Sequence, residues 1–225
     1  MTRFPTSGCR YRFTPSDWQF IFNSLSQTDR GRAGLESLCG DADSLQSILD
    51  HPKLFEAVVM KQGTLAVSPA LFFSVIVRHS LKRIGVEDPE VADYVAVACM
   101  EFKMPPAALS SPTAEVSSLY SADYIDALEC ATGPERFFIH VKCANQFLVL
   151  TCLYPSFIHR RAERRGAPDV KFYEGVVVSH LQAASHHALA DEFALHDVLE
   201  KLSEAFPPVR RAMNYTVQEY LSLGA

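Results

Sequence analysis

The chain writes one start signal again and again: a short polar residue, then proline, then apolar residues at helical spacing. Thr14-Pro15-Ser16-Asp17 precedes Trp18, Ile21, Phe22 and Leu25, Ser68-Pro69 precedes residues 70–84, and Asp88-Pro89 precedes residues 90–102. The first turn of a helix has amide hydrogens with no acceptor inside the helix. A polar cap can accept one of them, and a proline just after it gives up nothing by lacking its own N–H. Asp41 or Asp43 can cap residues 45–49, and Ser121 or Asp123 can start 124–131. Pro134 leads into 136–153, Pro155 opens 156–165, and Asp169 caps a segment running through Leu189. Stop signals match: Lys82-Arg83 followed by Gly85, and Gly166-Ala167-Pro168 after an arginine-rich end. Pro207-Pro208 divides 191–205 from 209–221. The short β-branched runs at 75–77 and 176–178 lie inside longer segments of 3.6-residue periodicity. The expectation is an all-α, single-domain bundle of roughly eight to ten helices. The Pro-, Ser- and Ala-rich stretch at 104–120 is expected to be a surface loop or internal linker. No repeat of about 30–45 residues is evident, which argues against a solenoid.

Composition narrows the function. A chain of 225 residues, 48% hydrophobic and 21% charged, is long enough for a sizeable core. Its net charge of −5 offers no overall attraction for nucleic acid or anionic membrane, so no nucleic-acid partner is expected. The six cysteines form no CxxC pair. They suit buried free thiols in a reducing compartment, and a cytoplasmic location is expected. The N-terminal MTRFPTSGCRYRF has positive charge without a following apolar segment, unlike a signal peptide. The longest apolar run, 137–158, contains His140, Lys142, Asn145, Gln146 and Pro155, so it reads as a core helix and not as a membrane span.

That run is also where a site is expected. Polar side chains in a buried helix are costly unless something satisfies them. A lysine at 142 must reach solvent, pair with an acid such as Glu101, Asp126, Glu129 or Glu174, or lie in a ligand pocket. His180 and His187 stand seven residues apart on what reads as one helix, about 10 Å along its axis. The candidate ligand pocket therefore lies between residues 136–153 and 172–189 and is lined by His140, Lys142, Asn145, His180 and His187. The histidine spacing is too long for one metal ion, and no carboxylate stands three or four residues away within the helix. A metal would need ligands from other helices, such as His140 or Glu101, so no metal and no cofactor is expected. Arg160, Arg161, Arg164 and Arg165 form a basic run near a helix C-terminus, where the dipole favours positive charge. They are expected to be mostly exposed, as an anion or partner patch.

The sequence has no Gly-rich phosphate loop, GxSxG elbow, SxxK or HExxH. Cys143 and Cys152 sit in too apolar a segment to favour thiolates. The leading expectation is a non-enzymatic interaction or regulatory module with a protein partner, offering the arginine run and the aromatic N-terminus (Phe4, Tyr11, Phe13, Trp18, Phe20, Phe22). The alternative is a helical small-molecule- or metal-binding protein, or an enzyme, built on the pocket above.

Overall fold

The computed structural model describes residues 8–60, 67–103 and 121–220. The expected loop or linker at 104–120 lies outside them. Within the described residues are twelve α-helices, one short 3-10 turn at Cys9–Arg12 and no strand. The chain is all-α. The helices are α1 (Pro15–Leu25), α2 (Asp29–Leu38), α3 (Ala42–Leu49), α4 (Pro52–Met60), α5 (Pro69–Lys82) and α6 (Pro89–Glu101), followed by α7 (Ser121–Cys130), α8 (Gly133–Leu153), α9 (Pro155–Arg165), α10 (Val170–Ser185), α11 (Ala188–Glu192) and α12 (His196–Tyr220). The count exceeds the expected range because short helices were invisible to periodicity. No residue of α2 is buried, so it carries no apolar face to read.

Two compact units emerge: Met1–Met100 with Glu219–Leu221, and Glu101–Gln218 with Ser222–Ala225. In the N-terminal unit the caps do more than start helices. Thr14 accepts from the Asp17 amide, and Thr14 N–H donates to Asp17 Oδ2 at 2.7 Å, a reciprocal capping box. Asp17 Oδ1 accepts from the Ser68 amide at 2.7 Å, and Ser68 in turn caps α5 through the Leu71 amide. One buried carboxylate thus fixes the starts of two helices 51 residues apart. Arg78 of α5, also buried, reaches Asp50 at 3.5 Å and Asp93 at 3.2 Å. Around these groups pack Ile21, Leu54, Leu71, Ile76 and Leu81, all essentially inaccessible. Each such side chain contributes about 1.5–3 kcal/mol on burial.

Two sequence expectations for the C-terminal unit are corrected. The segment from Asp169 is not one helix through Leu189: α10 ends at Ser185, His186 is its C-cap and His187 caps α11. The reason is local. The His186 ring N–H donates to the Gln182 carbonyl at 2.8 Å, closing the helix end, while His187 Nδ1 accepts from the Leu189 amide at 3.2 Å. In the other direction, Pro207-Pro208 does not divide a helix. α12 runs straight through both prolines. It forgoes two backbone hydrogen bonds there, but Leu199, Leu202, Phe206, Val209 and Met213 form a buried stripe on both sides that holds the helix together.

Candidate histidine site between α8 and α10

α8 starts from Thr132, whose amide and hydroxyl both donate to Glu135. Those two bonds hold the Glu135 carboxyl below its ordinary range. From Phe137 onward α8 is buried nearly all round, and it ends where Pro155 turns the chain: α9 leaves at 95°. Among the described residues, no single helix is long and apolar enough to cross a membrane. Proline cannot donate to the Thr151 carbonyl, so that acceptor would be stranded. Asn214 of α12 supplies the missing donor, its Nδ2 reaching the Thr151 and Cys152 carbonyls at 2.8 and 2.7 Å. Arg210 holds Asn214 Oδ1 at 2.8 Å and pairs with Glu174 of α10.

Among the described residues, α8 and α10 make the most extensive helix contact. They run antiparallel, as three cross-contacts show. Phe147 stacks on Tyr173 with ring centroids 4.8 Å apart. His140 meets His180. His187, just beyond α10, donates to the Gly133 carbonyl at 2.9 Å. Each contact is seven residues from the next along both segments, so it returns to the same face after two turns. The α10 stripe of Tyr173, Val177, Leu181 and Ala184 fills the seam.

The middle contact carries the chemistry. His140 Nδ1 and His180 Nδ1 are 3.1 Å apart, and His180 Nε2 lies 3.7 Å from Cys143 Sγ. Burial drives the Cys143 thiol up to about 12, so it keeps its proton. Burial and then His140 pull His180 down to about 4. Burial, then Arg136 and His187, also lower His140. All three groups are therefore neutral at pH 7. Each ring carries one proton, so the three groups form one relay with two tautomeric directions: Cys143 S–H to His180 Nε2 with His180 Nδ1–H to His140 Nδ1, or His140 Nδ1–H to His180 Nδ1 with His180 Nε2–H to Cys143 Sγ. A thiolate–imidazolium pair is disfavoured on both sides, so Cys143 is not an activated nucleophile.

Of the five expected pocket residues, then, the structure brings His140 and His180 together. His187 lies at the end of the same seam, its ring tilted against Phe137 with centroids 5.5 Å apart and tied to Gly133 and Leu189. Asn145 is half-buried on α8. Lys142 points to solvent. Glu135, Phe138 and Lys142, at spacings of three and four residues, form an exposed stripe of α8, beyond a first turn whose Gly133, Pro134 and Arg136 are exposed too. Of its suggested acid partners, Glu174 is taken by Arg210. Sequence reasoning did not single out Cys143 as a partner of this pair. Its signal was present, since positions 140 and 143 are three apart and share a face.

In the arginine run, Arg164 and Arg165 are exposed and Arg160 is half-buried. Arg161 departs from the expectation of exposure, with only 5% of its surface accessible. Three and four residues before it lie Ile158 and Phe157, both buried, so its stem extends along the apolar face of α9. The guanidinium carbon sits 5.5 Å from the Phe157 ring centre. Phe147, Leu150, Phe157, Ile158, Arg161 and Tyr173 border a cavity of about 10 Å³, room for at most one water. The expected aromatic surface at the N-terminus is largely packed inward: Phe20 and Phe22 are buried, Trp18 lies between Phe13 and Phe22, and Tyr11 is exposed. Phe4 lies outside the described residues. Among the described residues, no three His, Cys, Asp or Glu side chains are placed to hold one metal ion together.

Comparison with family models, with curated proteins and with solved structures finds no match to this chain.

Proposed function

We propose that the chain works through its surface, as a non-enzymatic interaction or regulatory module that binds an acidic protein partner. The observation that carries this reading is the corner between α9 and α10. Arg164 and Arg165 end α9 in the open, and a turn at Gly166 in left-handed conformation leads to Lys171 and to Phe172, whose ring is 48% exposed. Arginine beside an exposed aromatic is the composition of protein-interface centres, and a local positive corner on a chain of net charge −5 selects a partner of opposite sign. The alternative reading, a small-molecule pocket between 136–153 and 172–189, has less support, because the cavity bordering that seam has only water-scale room.

The test is cross-linking of the tagged full chain in its native cells, with quantitative mass spectrometry. The comparison set is wild type, Arg164→Glu with Arg165→Glu, and Phe172→Ser. Proteins joined to wild type, depleted with both variants and released by moderate salt support the reading. Equal recovery from all three chains, or no specific protein from wild type, overturns it.

A further inference from the structure

An acidic face of the kind that the α9–α10 corner selects is present on this same chain. α7 is held to its unit by little. Tyr124 is its one buried residue, with its hydroxyl on Gln146 Oε1 at 2.9 Å, and Arg136 donates to the Leu128 carbonyl at the helix end. Tyr124 and Leu128, four residues apart, set the inward side. The opposite side is open. Ala122, Ile125, Asp126 and Glu129 follow the spacing of one helical stripe, and Asp123 stands beside it. Ile125 is 56% exposed, and α7 contains no basic residue. The stripe is an exposed apolar side chain rimmed by three carboxylates.

The corner is the same arrangement with the sign reversed. The exposed Phe172 ring is rimmed by Arg164, Arg165 and Lys171. The acids nearest to it in sequence are engaged: Glu163 turns to His159 at 3.6 Å, and Asp169 caps α10 through the Phe172 amide. Among the described residues, none of the three cations at the corner and none of the three carboxylates on α7 makes an ion pair within the chain.

We propose that the corner's partner is a second copy of this chain, which seats the Ile125 face of α7 against Phe172 with Asp123, Asp126 and Glu129 opposite Arg164, Arg165 and Lys171. This rests on the reading of the corner as a binding surface and names its occupant. The two apolar side chains leave water on contact, and the charges around them decide which patch meets which. Both copies carry a net charge of −5 and repel at a distance. Salt at physiological strength screens that repulsion beyond about 8 Å and acts less on pairs in contact. Four side chains from each patch are far fewer than the roughly 20–30 residues a side of a stable interface, so the association is weak and depends on concentration. Every copy carries both patches. One orientation closes a two-fold pair in which the contact is made twice, and any other continues head to tail.

The experiment is sedimentation velocity of the full chain over a series of concentrations, in a Cys130→Ser background that removes the exposed thiol beside Glu129 as a source of disulfide-linked dimers. Three surfaces are compared: the natural one, Arg164→Glu with Arg165→Glu, and Asp126→Lys with Glu129→Lys. The natural surface should self-associate, and each reversal should weaken the association about tenfold or more. An equal mixture of the two reversed chains should restore it, because each then meets a patch of opposite sign. Restoration by mixing also shows that both reversed chains are folded. A chain with the natural surface that stays monomeric at every concentration overturns the proposal. So does association that neither reversal weakens, or association lost in both and not restored by mixing. The cellular cross-linking keeps the two readings apart: other proteins lost with the corner variants, around a chain that sediments as a monomer, would leave the corner standing as a binding surface and sink the second copy as its partner.

Discussion

The N-terminal unit holds a polar cluster built on charge, and the C-terminal unit holds one built on neutral rings. Asp17 and Arg78 lie in the first, each closed by partners of opposite character: three donors around Asp17, and two carboxylates around Arg78. His140, His180 and Cys143 lie in the second, and they satisfy one another. A buried charge with a full complement of partners is destabilising to break, because its partners are left behind in a poor solvent. A neutral pair costs less to break but responds to pH, since acid adds a charge where nothing waits for it. The two clusters therefore fail under different stresses.

The largest expected effect tests the charged cluster. Asp17→Ala removes three hydrogen bonds, among them the side-chain half of the capping box, and should lower stability by about 3 kcal/mol in urea denaturation. A loss under about 1 kcal/mol would mean that water replaces the carboxylate and that the contrast between the units is false.

Acid tests the neutral cluster. The unfolded chain takes up protons at the ordinary histidine range near 6.5, while folded His180 waits until about 4. In that window the unfolded state binds more protons, so stability is whole above pH 6.5, falls as pH drops and levels off below about 4. Allowing for partial exposure of the ring, His180 accounts for about 2 kcal/mol of this loss. His140 and His79, both lowered mainly by burial, act in the same direction. Asp93 acts in the other: burial raises its carboxyl, so the folded state protonates first and gains as pH falls. Denaturation curves at pH 7 and pH 4.5 should therefore lie closer together for His180→Phe than for wild type. Equal spacing would show that the ring is already solvated.

Arg161 sharpens the comparison, because it is the buried charged side chain of the C-terminal unit. Arg161→Gln should cost about 1–2 kcal/mol through lost packing on Phe157, against less than about 0.5 kcal/mol for Arg165→Gln. Similar thermal melts for the two variants would return Arg161 to the surface.

The smallest effect is a gain. Ala194 holds a left-handed conformation at φ 53°, with its amide bonded to the Asp191 carbonyl and the Leu195 amide to the Ala190 carbonyl. Gly85 closes α5 with the same pair of bonds, at φ 73°. Ala194→Gly should raise stability by about 0.5–1 kcal/mol, relief of strain outweighing the added freedom of the unfolded chain. A loss would show that the alanine methyl is engaged.

Much of the fold was legible. Thr14, Asp41, Ser68 and Asp169 each cap a helix that their sequence context announces, because capping is a local hydrogen bond. Pro207-Pro208 misled for the converse reason. Its local cost is outweighed by the burial of Leu202, Phe206 and Val209, which periodicity at a proline pair does not announce. The polar content of α8 drew attention to the right helix, yet only packing could pair His140 with His180, 40 residues away. Lys142 was no easier to place, since a helix that is apolar nearly all round gives no hint which narrow stripe stays wet.

The corner at Pro155 has a consequence in time. The carbonyls of Thr151 and Cys152 find their donor in Asn214, more than sixty residues later in the chain. During synthesis the antiparallel seam of α8 and α10 can zip as soon as α10 emerges, by contacts local enough to form quickly. The bend it ends on stays open until α12 arrives. α12 therefore acts as a closing step for this corner, and a chain halted before Asn214 would carry a formed seam on an unlatched corner, the kind of half-finished surface that quality-control machinery recognises.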